Sequence, residues 1–165
     1  MQNKLIILRG PSGAGKSTVA RALQNLSHAD TLIIDQDYYR HTLLDNKPDD
    51  KNLVPELIEH NAHICLQAGY NVIIEGIFRK EKYARMFQKL IEGFTGESYT
   101  YYFNISFDET AKRHATRDKA ALFTSEKMKE WYSMAEPLGI SQENEIPEHM
   151  SEAEIIQLIR NQTGL

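Results

Sequence analysis

A chain of 165 residues with 41% hydrophobic and 25% charged residues has the composition of an ordinary globular domain and is long enough to bury most of its apolar surface in one core. No apolar run approaches the ~20 residues of a membrane span, and a net charge of −4 supplies no general attraction to nucleic acid or anionic lipid. The single cysteine, Cys65, cannot pair within the chain, which suits a reducing compartment; a cytoplasmic protein, monomer or dimer, is expected.

The N-terminus enters directly into a strand, so no leader is expected. Leu5, Ile6, Ile7 and Leu8 form a continuous apolar run, the pattern of a strand buried on both faces. Next come Gly10, Pro11, Ser12, Gly13, Ala14, Gly15, Lys16, Ser17 and Thr18, which read GxxxxGKS, and then Val19, Ala20, Leu23 and Leu26 at helical spacing. Glycines in that context let the backbone curl so that successive N–H groups point at phosphate oxygens, with the helix N-terminus adding a favourable dipole. The stretch is a phosphate-binding loop in which Lys16 reaches the β/γ-phosphates and Ser17 ligates Mg²⁺.

Leu32 to Ile34 predict a second strand ending at Asp35, followed by a short helix over 36–44 and a charged loop over 45–51 that contains Pro48. Leu53, Leu57, Ile64 and Ala68 mark one face of the next helix, with Gly69 as its C-terminal cap. A third strand, Val72 to Ile74, ends in Glu75-Gly76. Tyr83, Met86, Phe87, Leu90, Ile91 and Phe94 give an amphipathic helix ended by Gly93 or Gly96. Tyr99 to Ile105 read as a fourth strand, and Ser106 with Glu109 forms a capping box opening a helix that carries Arg113, His114 and Arg117. A helix over 126–134, a fifth strand near Glu145 and Ile146, and a last helix opened by a second capping box, Ser151 with Glu154, complete the chain. Strands alternate with helices throughout, so one α/β domain over 1–165 is expected, with a mostly parallel, five-stranded sheet covered on both faces.

Chemistry concentrates at strand ends. Asp35 and Asp37 stand where open α/β sheets place their ligands. One of them can orient Mg²⁺ and the other can accept a proton from an acceptor hydroxyl, while Arg40 holds an anionic group on that acceptor. A free Asp has a pKa of about 3.9, too low to deprotonate an alcohol beforehand, but in a loose phosphoryl-transfer transition state the proton leaves late. Glu75 ends the third strand, either supporting the metal or as a plain loop carboxylate. Arg79 and Lys80 are either substrate contacts or helix-start charges. Arg113 and Arg117, four apart, share a helix face and can close over a triphosphate. Asn46-Lys47-Pro48-Asp49 matches the guanine-recognition pattern NKxD but lies too early in the chain, and His60 with His63, near Glu59 and Cys65, lacks a clear third metal ligand. Trp131 and Tyr132 are read as core or lid packing.

On Gly10 to Thr18, on Ile34-Asp35-Gln36-Asp37-Tyr38-Tyr39-Arg40, on the run from Glu109 to Arg117 and on Phe123 to Tyr132, the chain resembles the small P-loop kinases grouped with zeta toxins, chloramphenicol phosphotransferase, gluconate and shikimate kinases and polynucleotide kinase. The resemblance spans nearly the whole length. It implies a three-layer P-loop kinase fold with a helical lid over about 113–130, ATP and Mg²⁺ as cofactors, and a small hydroxyl- or phosphate-bearing acceptor such as a nucleoside, nucleotide, sugar or antibiotic. It also implies Asp37 as base, Asp35 serving metal or substrate, and Arg113 and Arg117 on the ATP phosphates; the residue reading above adds Ser17 and Glu75 as metal candidates and Arg40 and Arg79 as acceptor candidates. Polynucleotide kinases carry adjacent acids, whereas Gln36 separates them here and only the Asp-to-Arg spacing is kept. A polynucleotide 5′-end kinase and a non-catalytic nucleotide-binding regulator are the alternative readings.

Overall fold

The computed structural model describes residues 3–49, 51–115, 132, 137–140 and 143–165, the side chains of 113–115 excepted. Its centre is β1 (Lys4–Arg9), where Leu5, Ile6, Ile7 and Leu8 are all fully buried. Alternation sends Leu5 and Ile7 into one core and Ile6 and Leu8 into the other, so the strand nails the two halves together. Each such side chain contributes about 1.5–3 kcal/mol of burial.

Around β1 lie α1 (Lys16–Leu26), β2 (Thr31–Asp35), a π-helical segment (Tyr38–Leu43), α2 (Leu53–Gln67), β3 (Asn71–Gly76), α3 (Lys80–Glu92), β4 (Glu97–Asn104), α4 (Phe107–Ala115), β5 (Glu143–Pro147) and α5 (Glu152–Thr163). The five strands form one sheet in the order β2-β3-β1-β4-β5, and every pairing is parallel. α2 and α3 cover one face over a core that includes Val72, Ile74, Phe78 and Phe87. α1 and α5 cover the other over Ile73, Tyr101, Phe103 and Ile146. From β1 the chain runs outward past β3 to β2, then returns and crosses β1 to reach β4. The C-terminal ends of β1 and β3 therefore flank the point where the winding reverses, the place where such sheets hold ligands.

Local signals account for most boundaries. α2 closes in a Schellman motif, with Gly69 at φ 91° and N–H groups of Gly69 and Tyr70 bonded to the carbonyls of Leu66 and Cys65 at 3.1 Å each. The Ser151/Glu154 capping box is complete, and Glu109 N–H donates to Ser106 Oγ at 3.3 Å. The helix expected over 36–44 has its core in the π-helical turn, a wider coil often used at functional sites.

One face was misread. The buried stripe of α2 is Val54, Ile58, Ala62 and Leu66, whereas Leu53 is 41% and Ile64 50% exposed and Leu57 is only half-buried. Apolar residues occupy most of that helix's circumference, so two stripes compete in the sequence, and packing against β3 and α3 selects the one spaced by four. Leu26, at the end of α1, is also exposed rather than core. The expected helix over 126–134, Tyr132 apart and Trp131 included, lies outside the described residues, as do Arg117 and most of the lid over 113–130. Among the described residues, no helix is long and apolar enough to cross a membrane.

Candidate active site

β1 delivers the chain into the phosphate loop at a position only glycine fills. Gly10 has φ 149°, and a Cβ there would lie 2.8 Å from Phe103 O and 2.9 Å from Phe103 Cβ. Gly13 and Gly15 take φ 81° and 98°, and Gly15 caps α1. The curl is closed by Ala14 N–H on Pro11 O at 3.3 Å. Lys16, only 6% exposed, donates its ammonium to the carbonyls of Gly10 at 3.0 Å and Pro11 at 2.8 Å, so its charge sits inside the curl.

Ser17 follows on the first turn of α1, beside the Glu75 carboxyl that its hydroxyl helps to keep charged. Glu75 is 4% exposed, and the β2–β3 register sets it directly beside Asp35. Burial pushes the Glu75 carboxyl above its ordinary range; the Ser17 hydrogen bond and the Lys16 charge oppose this, while Asp35 and Asp37 reinforce it. Ser17, Asp35 and Glu75 line a common cavity of about 330 Å³. Among the described residues, no group of three or more His, Cys, Asp or Glu side chains forms a metal cage, and His60 and His63 are exposed on α2. Mg²⁺ needs no such cage, since it is normally held by one or two carboxylates, water and substrate phosphate. A hydroxyl and two carboxylates, all hard oxygens beside a phosphate loop, fit that ion.

Asp37 opens the π-helical segment, and its N–H donates to Asp35 Oδ1 at 2.8 Å, which fixes the two acids relative to each other. Its own carboxylate is half-exposed, with His41 Nε2 3.5 Å away. The other ring nitrogen of His41 meets Asn46 Oδ1. Between the acids, Gln36 turns inward and is 2% exposed; its Oε1 accepts from Ile77 N at 2.8 Å, and its amide acts on the Tyr83 hydroxyl. Gly76 makes room for it, because a Cβ there would lie 2.6 Å from both Gln36 Cβ and Oε1.

Beyond Asp37 opens a cavity of about 940 Å³, reached by Ser12 from the phosphate loop and by Asp35, Asp37, Arg40, Lys47, Arg79 and Tyr83 from the surrounding segments. Burial raises the Tyr83 hydroxyl above its ordinary range, against the pull of Gln36 and Arg40. Asp49, the last residue of the NKxD stretch, anchors α2: its carboxylate accepts from Leu53 N at 2.7 Å and Val54 N at 3.2 Å and pairs with Lys82 at 2.7 Å. The four residues therefore build a wall of the cavity rather than a guanine site.

Sequence reasoning brought Lys16, Ser17, Asp35, Asp37, Arg40, Glu75 and Arg79 to one end of the sheet, and the fold places all of them there. Arg113 lies on α4 with its side chain outside the description, and Arg117 falls outside the described residues. Tyr132 packs edge-on to Phe107 and donates to Ile105 O at 3.0 Å, at the start of α4. Gln36, His41 and Tyr83 were missed. A polar residue between two acids at a strand end is the one signal that pointed to Gln36.

The profile of the AAA domain family matches residues 5–138. No curated protein sequence matches the chain. Among solved structures, the APS kinase of Mycobacterium tuberculosis, in complex with AMPPNP and APS, superposes with a TM-score of 0.74 at 16% identity over 99% of both chains. A gluconokinase from Sinorhizobium meliloti 1021 gives 0.67 at 19% identity over 94% of this chain and 89% of its own. A chain of the Pnkp1/Rnl/Hen1 RNA repair complex gives 0.59 at 22% identity, over 78% of this chain but 42% of its own. The chain belongs to the AAA domain family, and its fold is that of the small P-loop kinases.

Proposed function

We propose that this protein is an ATP- and Mg²⁺-dependent phosphotransferase acting on a small hydroxyl-bearing acceptor. The observation that carries the reading is that Ser12 of the phosphate loop, Asp35 and the half-exposed Asp37 share the rim of one large cavity, while Asp35 with Ser17 and Glu75 also lines the smaller cavity beside the loop. A nucleotide switch needs no second cavity beside its phosphates, whereas a kinase must seat an acceptor there.

In this reading the curl from Gly10 to Thr18 binds the donor phosphates, and Lys16 exchanges its loop carbonyls for phosphate oxygens. Ser17, Asp35 and Glu75 would hold Mg²⁺, which when bound neutralises charge on the phosphates. Asp37 orients the acceptor hydroxyl and takes up its proton as the bond to phosphorus forms. Arg113 and Arg117 would face the donor from the lid side. Kinase and gluconokinase relatives of the same fold support transfer to small molecules, and the RNA repair complex keeps an oligonucleotide acceptor as an arm of the test. A half-buried free Cys65 is in keeping with a reducing, cytoplasmic setting.

The test is transfer from radiolabelled ATP to a panel of nucleosides, nucleotides, sugars, antibiotics and 5′-hydroxyl oligonucleotides. Asp37→Asn is expected to lower turnover about 10²–10⁴-fold with ATP affinity nearly unchanged, while Lys16→Ala weakens ATP binding itself. Stoichiometric nucleotide binding with no transfer to any member, or full turnover in Asp37→Asn, overturns the assignment.

A further inference from the structure

A half-exposed carboxylate at the rim of an open cavity turns about its side-chain bonds unless a neighbour holds it. The backbone of Asp37 is fixed by the hydrogen bond from its N–H to Asp35 Oδ1 at 2.8 Å, but that bond does not reach its carboxylate. The group that does is His41, four residues on in the π-helical segment, whose Nε2 lies 3.5 Å from Asp37 Oδ1. An exposed pair of this kind contributes little when both side chains must give up their freedom to meet. Here one of them is already held from behind, because Nδ1 of the His41 ring meets Asn46 Oδ1. Asn46 is held in turn by its backbone. Asp45 and Asn46 take left-handed dihedrals, φ 52° and 59°, and Asn46 N–H donates to Arg40 O at 3.0 Å, closing the end of the π-helical segment. Asparagine and aspartate are the non-glycine residues that visit this conformation most readily, so the residue types at 45 and 46 suit the turn that aims the amide at His41.

Both nitrogens of the His41 ring face oxygen acceptors. A charged ring satisfies both as they stand, and a neutral ring does so once the Asn46 amide makes a half-turn and offers its NH₂ to Nδ1. In either form the hydrogen toward Asp37 is on Nε2. We propose that His41, oriented by Asn46, is a positioning residue for the base: its Nε2–H holds Asp37 Oδ1 and leaves the other carboxylate oxygen to the acceptor hydroxyl. The inference rests on the phosphotransferase reading and adds to it the device that aims its base. As the acceptor oxygen bonds to phosphorus and the bridging oxygen of the donor departs with the electrons of the broken bond, the hydroxyl proton passes to that second carboxylate oxygen, whose lone pair is already in place. Asp37, His41 and Asn46 line the same cavity, so the wall that seats the acceptor also carries the groups that orient its base. Of the stretch Asn46-Lys47-Pro48-Asp49, the first residue serves the base and the last anchors α2.

The experiment compares variants of the whole chain. His41→Phe keeps a ring and loses both nitrogens, His41→Gln restores an N–H donor, and Asn46→Gly keeps the left-handed backbone while removing the amide. In transfer from ATP to the best acceptor of the panel, His41→Phe is expected to lower kcat about three- to tenfold, the range for one lost hydrogen bond to a half-exposed charge. The KM values for acceptor and ATP are expected to stay within about twofold, since the contact acts on the base and not on binding. His41→Gln is expected to recover most of kcat and Asn46→Gly to lose part of it. In the Asp37→Asn background, His41→Phe is expected to cost nothing further, because it acts through that carboxylate. A loss confined to KM, an equal loss in His41→Gln, or a loss additive with Asp37→Asn overturns the positioning role. A second readout needs no turnover. Long-range proton–nitrogen NMR spectra of the histidine rings, with His41 assigned by its disappearance in His41→Phe, are expected to place a hydrogen on its Nε2. The His41 signals are expected to move in Asp37→Ala while those of His60 and His63, exposed on α2, stay in place. A bare Nε2, or His41 signals that do not respond to Asp37→Ala, overturns the contact. Absence of transfer by the parent strikes the phosphotransferase reading and with it the catalytic purpose of the contact, an outcome the spectra distinguish from absence of the contact itself.

Discussion

Asp35 and Glu75 are register partners at the C-terminal ends of adjacent parallel strands, and Ser17 lines the same cavity as both. Two carboxylates side by side, one of them almost wholly buried, are unfavourable for an isolated protein. In the proposed role of the pair as Mg²⁺ ligands, a bound cation would offset that cost, so stability without metal and affinity for it would be opposed here.

Glu75→Gln is expected to separate the two. The amide keeps the size and can still accept from Ser17, but it removes a charge that burial and Asp35 both disfavour. The nucleotide-free variant should melt a few degrees higher than the parent, whereas its Mg²⁺ affinity in the presence of nucleotide should fall about 10–100-fold. Scanning calorimetry and Mg²⁺ titration check both limbs; a variant that melts lower and binds Mg²⁺ normally would make Glu75 a structural residue only.

Gly76→Ala tests the Gln36 anchor without touching a charge. The added methyl would lie 2.6 Å from Gln36 Cβ and 2.9 Å from Phe78 Cζ, inside a wall that includes fully buried Phe78. Overpacking of this kind costs about 1–3 kcal/mol, and relief requires Gln36 to release Ile77 N–H. Denaturant unfolding should show the loss. A change under 0.5 kcal/mol, the ordinary range for a bland surface position, would mean that the strand ends yield easily.

The sequence made the sheet legible because aliphatic runs of strand length alternate with 3.6-residue patterns, and the phosphate loop legible because its glycines, Lys16 and Ser17 sit at fixed offsets. Asp35, Asp37 and Glu75 could be placed together for the same reason: each ends a strand, and parallel strands bring their C-terminal ends to one edge. α2 was less legible, since a helix apolar on most sides does not say which stripe faces inward until β3 and α3 are in place. Gln36 and His41 were hidden because their roles depend on groups 41 and 5 residues away, Ile77 and Asn46, whose approach is a product of folding. Nor does the sequence show that Arg9, the last residue of β1, is buried.

Arg9 precedes the phosphate loop, stacks 4.5 Å from the centre of the Tyr102 ring and is bidentate to Glu143 at the start of β5, with Nη2 to Oε2 at 3.2 Å. Both partners are largely shielded from solvent, at 5% and 14% side-chain exposure. Removing one partner of such a pair typically costs about 3–5 kcal/mol, because the other is left charged and desolvated. Arg9→Met is thus expected to destabilise strongly and Arg9→Met/Glu143→Leu much less. A double-mutant cycle by chemical denaturation measures the difference, and additive losses would show that the pair contributes nothing as a pair.

Asp49 supplies the pH dependence. Burial alone would raise its carboxyl, but the Lys82 hydrogen bond and the N–H groups of Val54 and Leu53 outweigh it and hold the pKa below the ordinary 3.8. A carboxyl with a lowered folded pKa binds fewer protons in the native state than in the unfolded one. Its stabilisation is therefore complete above the unfolded value and is lost as pH falls through the folded one. At pH 7, Asp49→Ala should cost about 1 kcal/mol, the usual penalty for losing acceptors at the first turn of a helix, with the Lys82 pair adding about 0–1 kcal/mol. Below about pH 4 the parent loses that advantage, so the gap between parent and variant should narrow steadily toward pH 3. Urea unfolding of both proteins at several pH values measures it. A gap that stays constant from pH 7 to pH 3 would mean that the Asp49 carboxylate charge does not hold α2 to α3 and that only the shape of the cap matters.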